Sequence, residues 1–147
     1  MQTLNFLFWN LNSKNLVDEI GNIAATKGVD ILILAECEGL SDSELLLKLN
    51  EKETRYSANN PASLCKKIKI FTRFSYNLIP PKMEGDRWNI FDQVLIRPSL
   101  IANFVQESIN ILDNDGVKSL ITKKRYPNKQ QYSDHLPSFF TLKLNEL

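Results

Sequence analysis

The chain has 147 residues, the size of one domain, which is enough to bury a core. Hydrophobic residues make up 43% and charged residues 24%, an ordinary soluble balance. A net charge of +1 excludes a global field that draws in nucleic acid, so affinity for phosphates has to come from local clusters. No apolar run approaches the roughly 20 residues of a membrane span. The opening Met1-Gln2-Thr3-Leu4 has no positive region ahead of its apolar residues, unlike a signal peptide. Cys37 and Cys65 are too few for a disulfide framework and lack metal-ligand spacing, so reduced thiols in a cytoplasmic protein are expected.

In chain order, residues 4–9, with Phe6, Phe8 and Trp9, read as a buried strand. Asn10, Asn12 and Ser13 come next as polar residues able to cap a helix. Over residues 14–27, Leu16, Ile20, Ile23 and Ala24 share a face, which predicts an amphipathic helix stopped at Gly28. Residues 29–35 (VDILILA) are apolar apart from Asp30, as expected of a strand in the middle of a covered sheet. Strand, helix, strand in this order predicts a helix packed on a sheet. Ser41 and Glu44 have capping-box spacing ahead of Leu45, Leu46 and Leu49, which predicts a helix over 42–51.

Residues 55–62 read as a loop, and Ile68, Ile70 and Phe71 as a strand, with Pro80-Pro81 closing off the segment beyond it. Residues 89–97 (NIFDQVLIR) alternate as a strand does, and 98–103 predict one helical turn. Residues 107–112 predict a strand, and Asp113-Asn114-Asp115-Gly116 is a strong turn, after which 118–122 are expected to pair back. Residues 123–132 form a basic, polar loop, and 136–144 predict a final strand.

Chemistry-bearing residues stand at the ends of these strands. Asn10 comes after the first, Glu36 after VDILILA, and Asp134-His135 precede the last, while Asp92 lies inside NIFDQVLI. A carboxylate in or beside a buried strand needs a partner, because an unpaired buried charge is expensive. Strand ends that open into loops are also where ligands are commonly held. Each residue has a structural reading too. Glu36 fits a salt-bridged strand end, Asn10 a helix cap, Asp92 a partner for backbone amides or an arginine, and the lone His135 a structural histidine. Cys37 lies beside Glu36 with no basic group near it in sequence, which favours an inert thiol.

Together these residues resemble the endonuclease/exonuclease/phosphatase family. LNFLFWNLNSKNLVDEIGNIAATKGVDILILAECEG is similar to that family's opening, where an asparagine ends the first strand and a glutamate the second. SDHLPSFFTLKL is similar to its closing motif, and WNIFDQVLIRPSL to the strand before it, whose aspartate pairs with the closing histidine. The resemblance implies a single α/β domain of α+β type over 1–147, a reduced two-sheet sandwich with flanking helices. It implies a divalent-metal-dependent phosphoester hydrolase, a nuclease-like phosphodiesterase, that uses Mg2+ or Mn2+ on a phosphate-containing substrate such as nucleic acid. Glu36 is then a metal ligand and Asn10 positions phosphate or water. His135 contacts the scissile phosphate, Asp92 orients that histidine, and Asp134 is a further carboxylate on the metal or water side. Lys66, Lys67, Lys69 and Arg73, and Lys123, Lys124, Arg125 and Lys129, are two clusters able to supply phosphate contacts.

The chain departs from the family in its middle. There is no second histidine and no Asp-x-Asn motif, and FTRFSYNLIPPKMEGDR runs directly into WNIFDQ, as though an internal segment were missing near 87–88. Loss of central strands would uncover sheet edges and apolar faces, which favours self-association, such as a homodimer. Three readings therefore stand on sequence. The first is an active miniature. The second is a catalytically degenerate relative acting as a binding or regulatory protein, and the third an unrelated α/β domain.

Overall fold

The computed structural model describes residues 2–52, 56–58, 67–74 and 98–144. Its elements are β1 (Gln2–Asn10), α1 (Val17–Lys27), β2 (Ile31–Ala35), α2 (Asp42–Leu49), β3 (Ser57–Ala58), β4 (Ile68–Thr72), a 3-10 turn (Pro98–Asn103), β5 (Phe104–Ile111) and β6 (Ser138–Leu144). The architecture is α+β, with a six-stranded mixed sheet of order β3-β4-β2-β1-β6-β5 and two helices. The described strands form one sheet, and a second sheet is not found among the described residues. The strand expected over 89–97 and the proline pair before it lie outside the described residues.

Strand alternation sends Leu7 and Trp9 of β1, Leu32 and Leu34 of β2 and Phe71 of β4 to one side, where all five are fully buried. Ile20, Ile23 and Ala24 of α1 and Leu45 and Leu49 of α2 close over them in a single core. The apolar stripe on each helix is thus the one its sequence spacing lays out. The opposite face carries Phe6 and Phe140, stacked with ring centroids 4.8 Å apart, and Phe104 edge-on to Phe140 at 6.1 Å.

Local chemistry sets the helix ends. Gly28 takes φ 58° and returns its N–H to the Ala24 carbonyl, closing α1. Ser41 Oγ accepts from the Glu44 N–H at 3.4 Å, so the expected cap forms. The start of α1 differs from expectation. Residues 14–16 are not helical and Leu16 stands at the N-cap without a side-chain cap, because Asn12 and Ser13 adopt left-handed conformations (φ 48° and 57°). At the other end of the chain, β5 pairs with β6 and not with 118–122. Between the pairs Val105↔Thr141 and Asn110↔Phe139, residues 106–109 of β5 face residue 140 alone, so β5 bulges. The Ser108 hydroxyl closes the bulge, donating to the Val105 carbonyl at 2.6 Å and accepting from the Thr141 N–H at 2.7 Å.

Residues 118–120 turn back only onto 113–115, with the Asp115 N–H donating to the Lys118 carbonyl and the Leu120 N–H to the Asp113 carbonyl, and the Asp115 side chain anchors this turn. Asp115 is 1% exposed, and its carboxylate accepts from the N–H groups of Val117 and Lys118 and from the Asn22 amide on α1. The turn is thereby tied to α1. Burial alone would raise the Asp115 carboxyl, but these hydrogen bonds and the Lys118 charge outweigh it, and its pKa lies below the usual value. A depressed carboxyl stabilises the fold above its unfolded pKa, and that contribution is lost as pH falls through the folded value. Asp115→Ala is therefore expected to lower stability by about 1–3 kcal/mol at pH 7. The gap from the unsubstituted chain should close as urea midpoints are taken from pH 7 into acid. A gap of constant size across that range would show that the charge is not what matters.

Candidate functional site

The parallel pairing of β1 and β2 brings Asn10 opposite Ala35, so both strands end together. β6 runs antiparallel to β1 with Ser138 opposite Phe8, and this carries the preceding loop past Trp9 and Asn10. One end of the sheet therefore collects Asn10, Glu36, Ser133, Asp134 and His135.

Backbone bonds stitch the two strand ends. The Leu11 N–H donates to the Ala35 carbonyl at 2.8 Å, and the Ser13 N–H to the Glu36 carbonyl at 2.7 Å. Glu36 itself sits at φ 46°, a left-handed conformation that L-residues other than glycine and asparagine rarely adopt. Such a residue stores on the order of 1–3 kcal/mol of strain, and it persists only where its surroundings hold it. Here they do, since the 36–39 turn lies directly on the 11–14 turn. A Cβ on Gly39 would fall 2.2 Å from the Ser13 carbonyl oxygen. The Glu36 carboxylate projects into solvent, and among the described residues it has no ion-pair partner. A salt-bridged strand end does not account for it.

Asn10 is not a helix cap. Its Oδ1 accepts from the Asn12 N–H at 3.0 Å, which identifies the amide oxygen and leaves Nδ2 as the donor. On the far side of Asn10, Ser133 is 1% exposed and its hydroxyl donates to the Asn10 carbonyl at 2.6 Å. The same oxygen accepts from the His135 N–H at 3.0 Å and lies 3.4 Å from Asp134 Oδ1. The His135 carbonyl in turn accepts from the Trp9 indole N–H at 2.9 Å. The His135 backbone is held at both its N–H and its carbonyl, while the ring keeps part of its surface in solvent, with Nε2 3.9 Å from Asp134 Oδ1. Ser133 and Trp9, to which sequence reasoning assigned no role, thus hold the His135 backbone. The serine's two-residue spacing to His135 was the available signal, since a hydroxyl readily bonds the backbone two residues on.

The structure thus gathers Asn10, Glu36, Asp134 and His135 at one sheet end, whereas Asp92 lies outside the described residues. Among the described residues, no three His, Cys, Asp or Glu side chains are grouped closely enough to enclose a metal ion. A cation fully caged by protein does not fit this set. A Mg2+ carried on the Glu36 carboxylate, with waters and phosphate oxygens completing its shell, does fit, because that ion keeps most of its water and needs only one or two carboxylates.

The two basic clusters have different fates. In the first, Lys69 is committed to Asp42 at 2.6 Å and to the Leu40 carbonyl, and Arg73 pairs with Asp30 at 3.1 Å. Lys66 lies outside the described residues. Lys123, Lys124, Arg125 and Lys129 are all exposed, and among the described residues no carboxylate lies within ion-pairing distance of them. Cys37 is buried with its Sγ 3.7 Å from the Leu34 carbonyl and 3.4 Å from the Lys67 carbonyl, either able to accept its S–H, and burial pushes its pKa up to about 11. It remains a protonated, inert thiol at neutral pH. Cys65 lies outside the described residues.

The fold and this end of it define an α+β protein whose polar strand ends are bound into one cluster. Comparison with protein-family models, with curated proteins and with solved structures finds no match. Among the described residues, no helix is long and apolar enough to cross a membrane.

Proposed function

We propose that the chain is a divalent-metal-dependent phosphoester hydrolase, a nuclease-like phosphodiesterase built on a reduced version of the endonuclease/exonuclease/phosphatase fold. The observation that carries this reading is the Glu36 turn. A solvent-facing carboxylate, without a cation partner among the described residues, is held in a strained conformation, and its backbone is bonded to the loop after Asn10. Strain maintained around an exposed charge supports a binding role more than a structural one.

In this reading Glu36 and Asp134 hold a Mg2+ or Mn2+ ion. The bound ion would neutralise charge at a phosphate oxygen. The Asn10 Nδ2 amide donates to a second phosphate oxygen and fixes its orientation. The His135 imidazole donates to the phosphate or moves a proton at Nε2, from a backbone clamped by Ser133 and Trp9. The basic loop ahead of Ser133 meets the charge of the rest of the substrate.

A second reading remains: a degenerate relative that binds without hydrolysing. It is favoured by the single histidine and by the lack of an Asp-x-Asn motif.

Magnesium binding by calorimetry, run beside hydrolysis of an oligonucleotide and of an activated phosphodiester, separates the two. Metal-dependent hydrolysis is expected, reduced more than about 100-fold in Glu36→Ala and by about 10²–10⁴ in His135→Gln. A folded chain that neither binds magnesium nor hydrolyses either substrate would overturn the hydrolase reading and leave the second.

A further inference from the structure

From residue 116 to residue 133 the chain carries five cations, Lys118, Lys123, Lys124, Arg125 and Lys129, and no acidic residue. This stretch leads directly into Asp134 and His135. Among the described residues, only Lys118 of these five has a carboxylate partner, Glu19 at 3.9 Å. The remaining four surround an ordered turn. The Thr122 N–H donates to the Tyr126 carbonyl at 2.8 Å, the Arg125 N–H to the Thr122 carbonyl at 2.9 Å, and Ile121 bridges to Pro127. The base of the turn is anchored by the fully buried Leu120, whose carbonyl accepts from Asn128, and by the buried Tyr132 and Ser133. Lys14 Nζ ties the same loop to the Asn10 side of the sheet end through the Gln130 carbonyl.

Tyr126, which closes the turn opposite Thr122, is 69% exposed. Its aromatic ring offers an open face beside the cations, and that surface gains by leaving water. Cations beside an accessible ring on a hydrogen-bonded turn suit a single strand of nucleic acid. The phosphates meet the charges, and an unpaired base stacks on the ring irrespective of its identity. A duplex keeps its base faces covered and offers the ring nothing.

We propose that residues 122–129 form a binding platform for single-stranded nucleic acid, with Tyr126 stacking a base and Lys123, Lys124, Arg125 and Lys129 contacting phosphates. The platform rests on the hydrolase reading only for its consequence, delivery of the strand to the Asn10–His135 end. It names that site's substrate class.

The test is fluorescence anisotropy of a labelled single-stranded oligothymidine and of a duplex of the same length, with the full chain in EDTA so that hydrolysis plays no part. The single strand is expected to bind more tightly than the duplex. Tyr126→Ala should weaken it about tenfold while Tyr126→Phe does not. Replacing Lys123, Lys124 and Arg125 together with alanine should make the slope of log affinity against log salt shallower by about 2. Equal binding of duplex and single strand, or unchanged affinity in Tyr126→Ala, overturns the platform. Binding that survives in Glu36→Ala, together with absent hydrolysis in the unsubstituted chain, would sink the hydrolase reading while supporting this one. Hydrolysis of the small phosphodiester without oligonucleotide binding would do the reverse.

Discussion

Trp9→Ala is expected to lower the unfolding free energy by about 3–5 kcal/mol, a large part of the roughly 5–15 kcal/mol available to a domain. Trp9 is fully buried in the core against α1 and α2, so truncation leaves a cavity that the sheet, paired on both sides of β1, cannot collapse to fill. For a chain of this length the thermal midpoint should fall by about 10 °C. Trp9→Phe separates packing from polarity. It keeps most of the ring but removes the indole N–H, which strands the His135 carbonyl at a cost of about 1–3 kcal/mol. Because His135 is the single histidine, one imidazole resonance reports on it without assignment. That signal should move in Trp9→Phe, and hydrolysis should fall with it. An unmoved imidazole signal would show that the indole merely fills space.

Gly39→Ala is the second large effect. The added methyl would meet the Ser13 carbonyl oxygen at 2.2 Å and its carbon at 3.1 Å, both backbone atoms that no rotamer change removes. One of the two turns has to shift, at about 1–3 kcal/mol or somewhat more. The shift falls on the contact that keeps Glu36 left-handed. Magnesium affinity and hydrolysis should therefore drop together, although Glu36 and Asn10 are both intact. Calorimetry and denaturant unfolding on the same samples check this. A destabilised chain with undiminished magnesium affinity would mean that the carboxylate does not depend on its strained backbone.

Legibility from sequence tracked the range of the interactions. α2 was readable because its cap is a contact between Ser41 and Glu44, three residues apart. β1 and β2 were readable because each is a largely apolar run, and β6 because its residues suit a strand. Their ends were placed less well where a side chain intervenes. Asp30 was expected inside β2, but its carboxylate is occupied by the Asn5 N–H at 2.9 Å and by Arg73, so the strand begins at Ile31. The partner of β5 was misjudged because the turn at 113–116 favours a local hairpin, whereas the Asp115 contact with Asn22 is 93 residues apart in sequence.

Of the candidate site, the residue types and their strand-end positions were visible. The left-handed Glu36 was not, because nothing in a glutamate's own preference suggests it and the constraint comes from Gly39 and Ser13 across two turns. The clamps on His135 were hidden for the same reason, the Trp9 bond spanning 126 residues.

The borders of the sheet bear on how copies of the chain can meet at high concentration. Among the described strands, one border is β3, two residues long, and the other is β5, where four residues stand against one. An incoming extended segment needs an even row of amide and carbonyl groups, and neither border supplies one. The exposed Ile109 and Ile111 lie at the far end of the break, so their stickiness is not matched by a ladder to zip along. Among the described strands, growth of fibrils by strand-upon-strand addition is therefore disfavoured along β3 and β5.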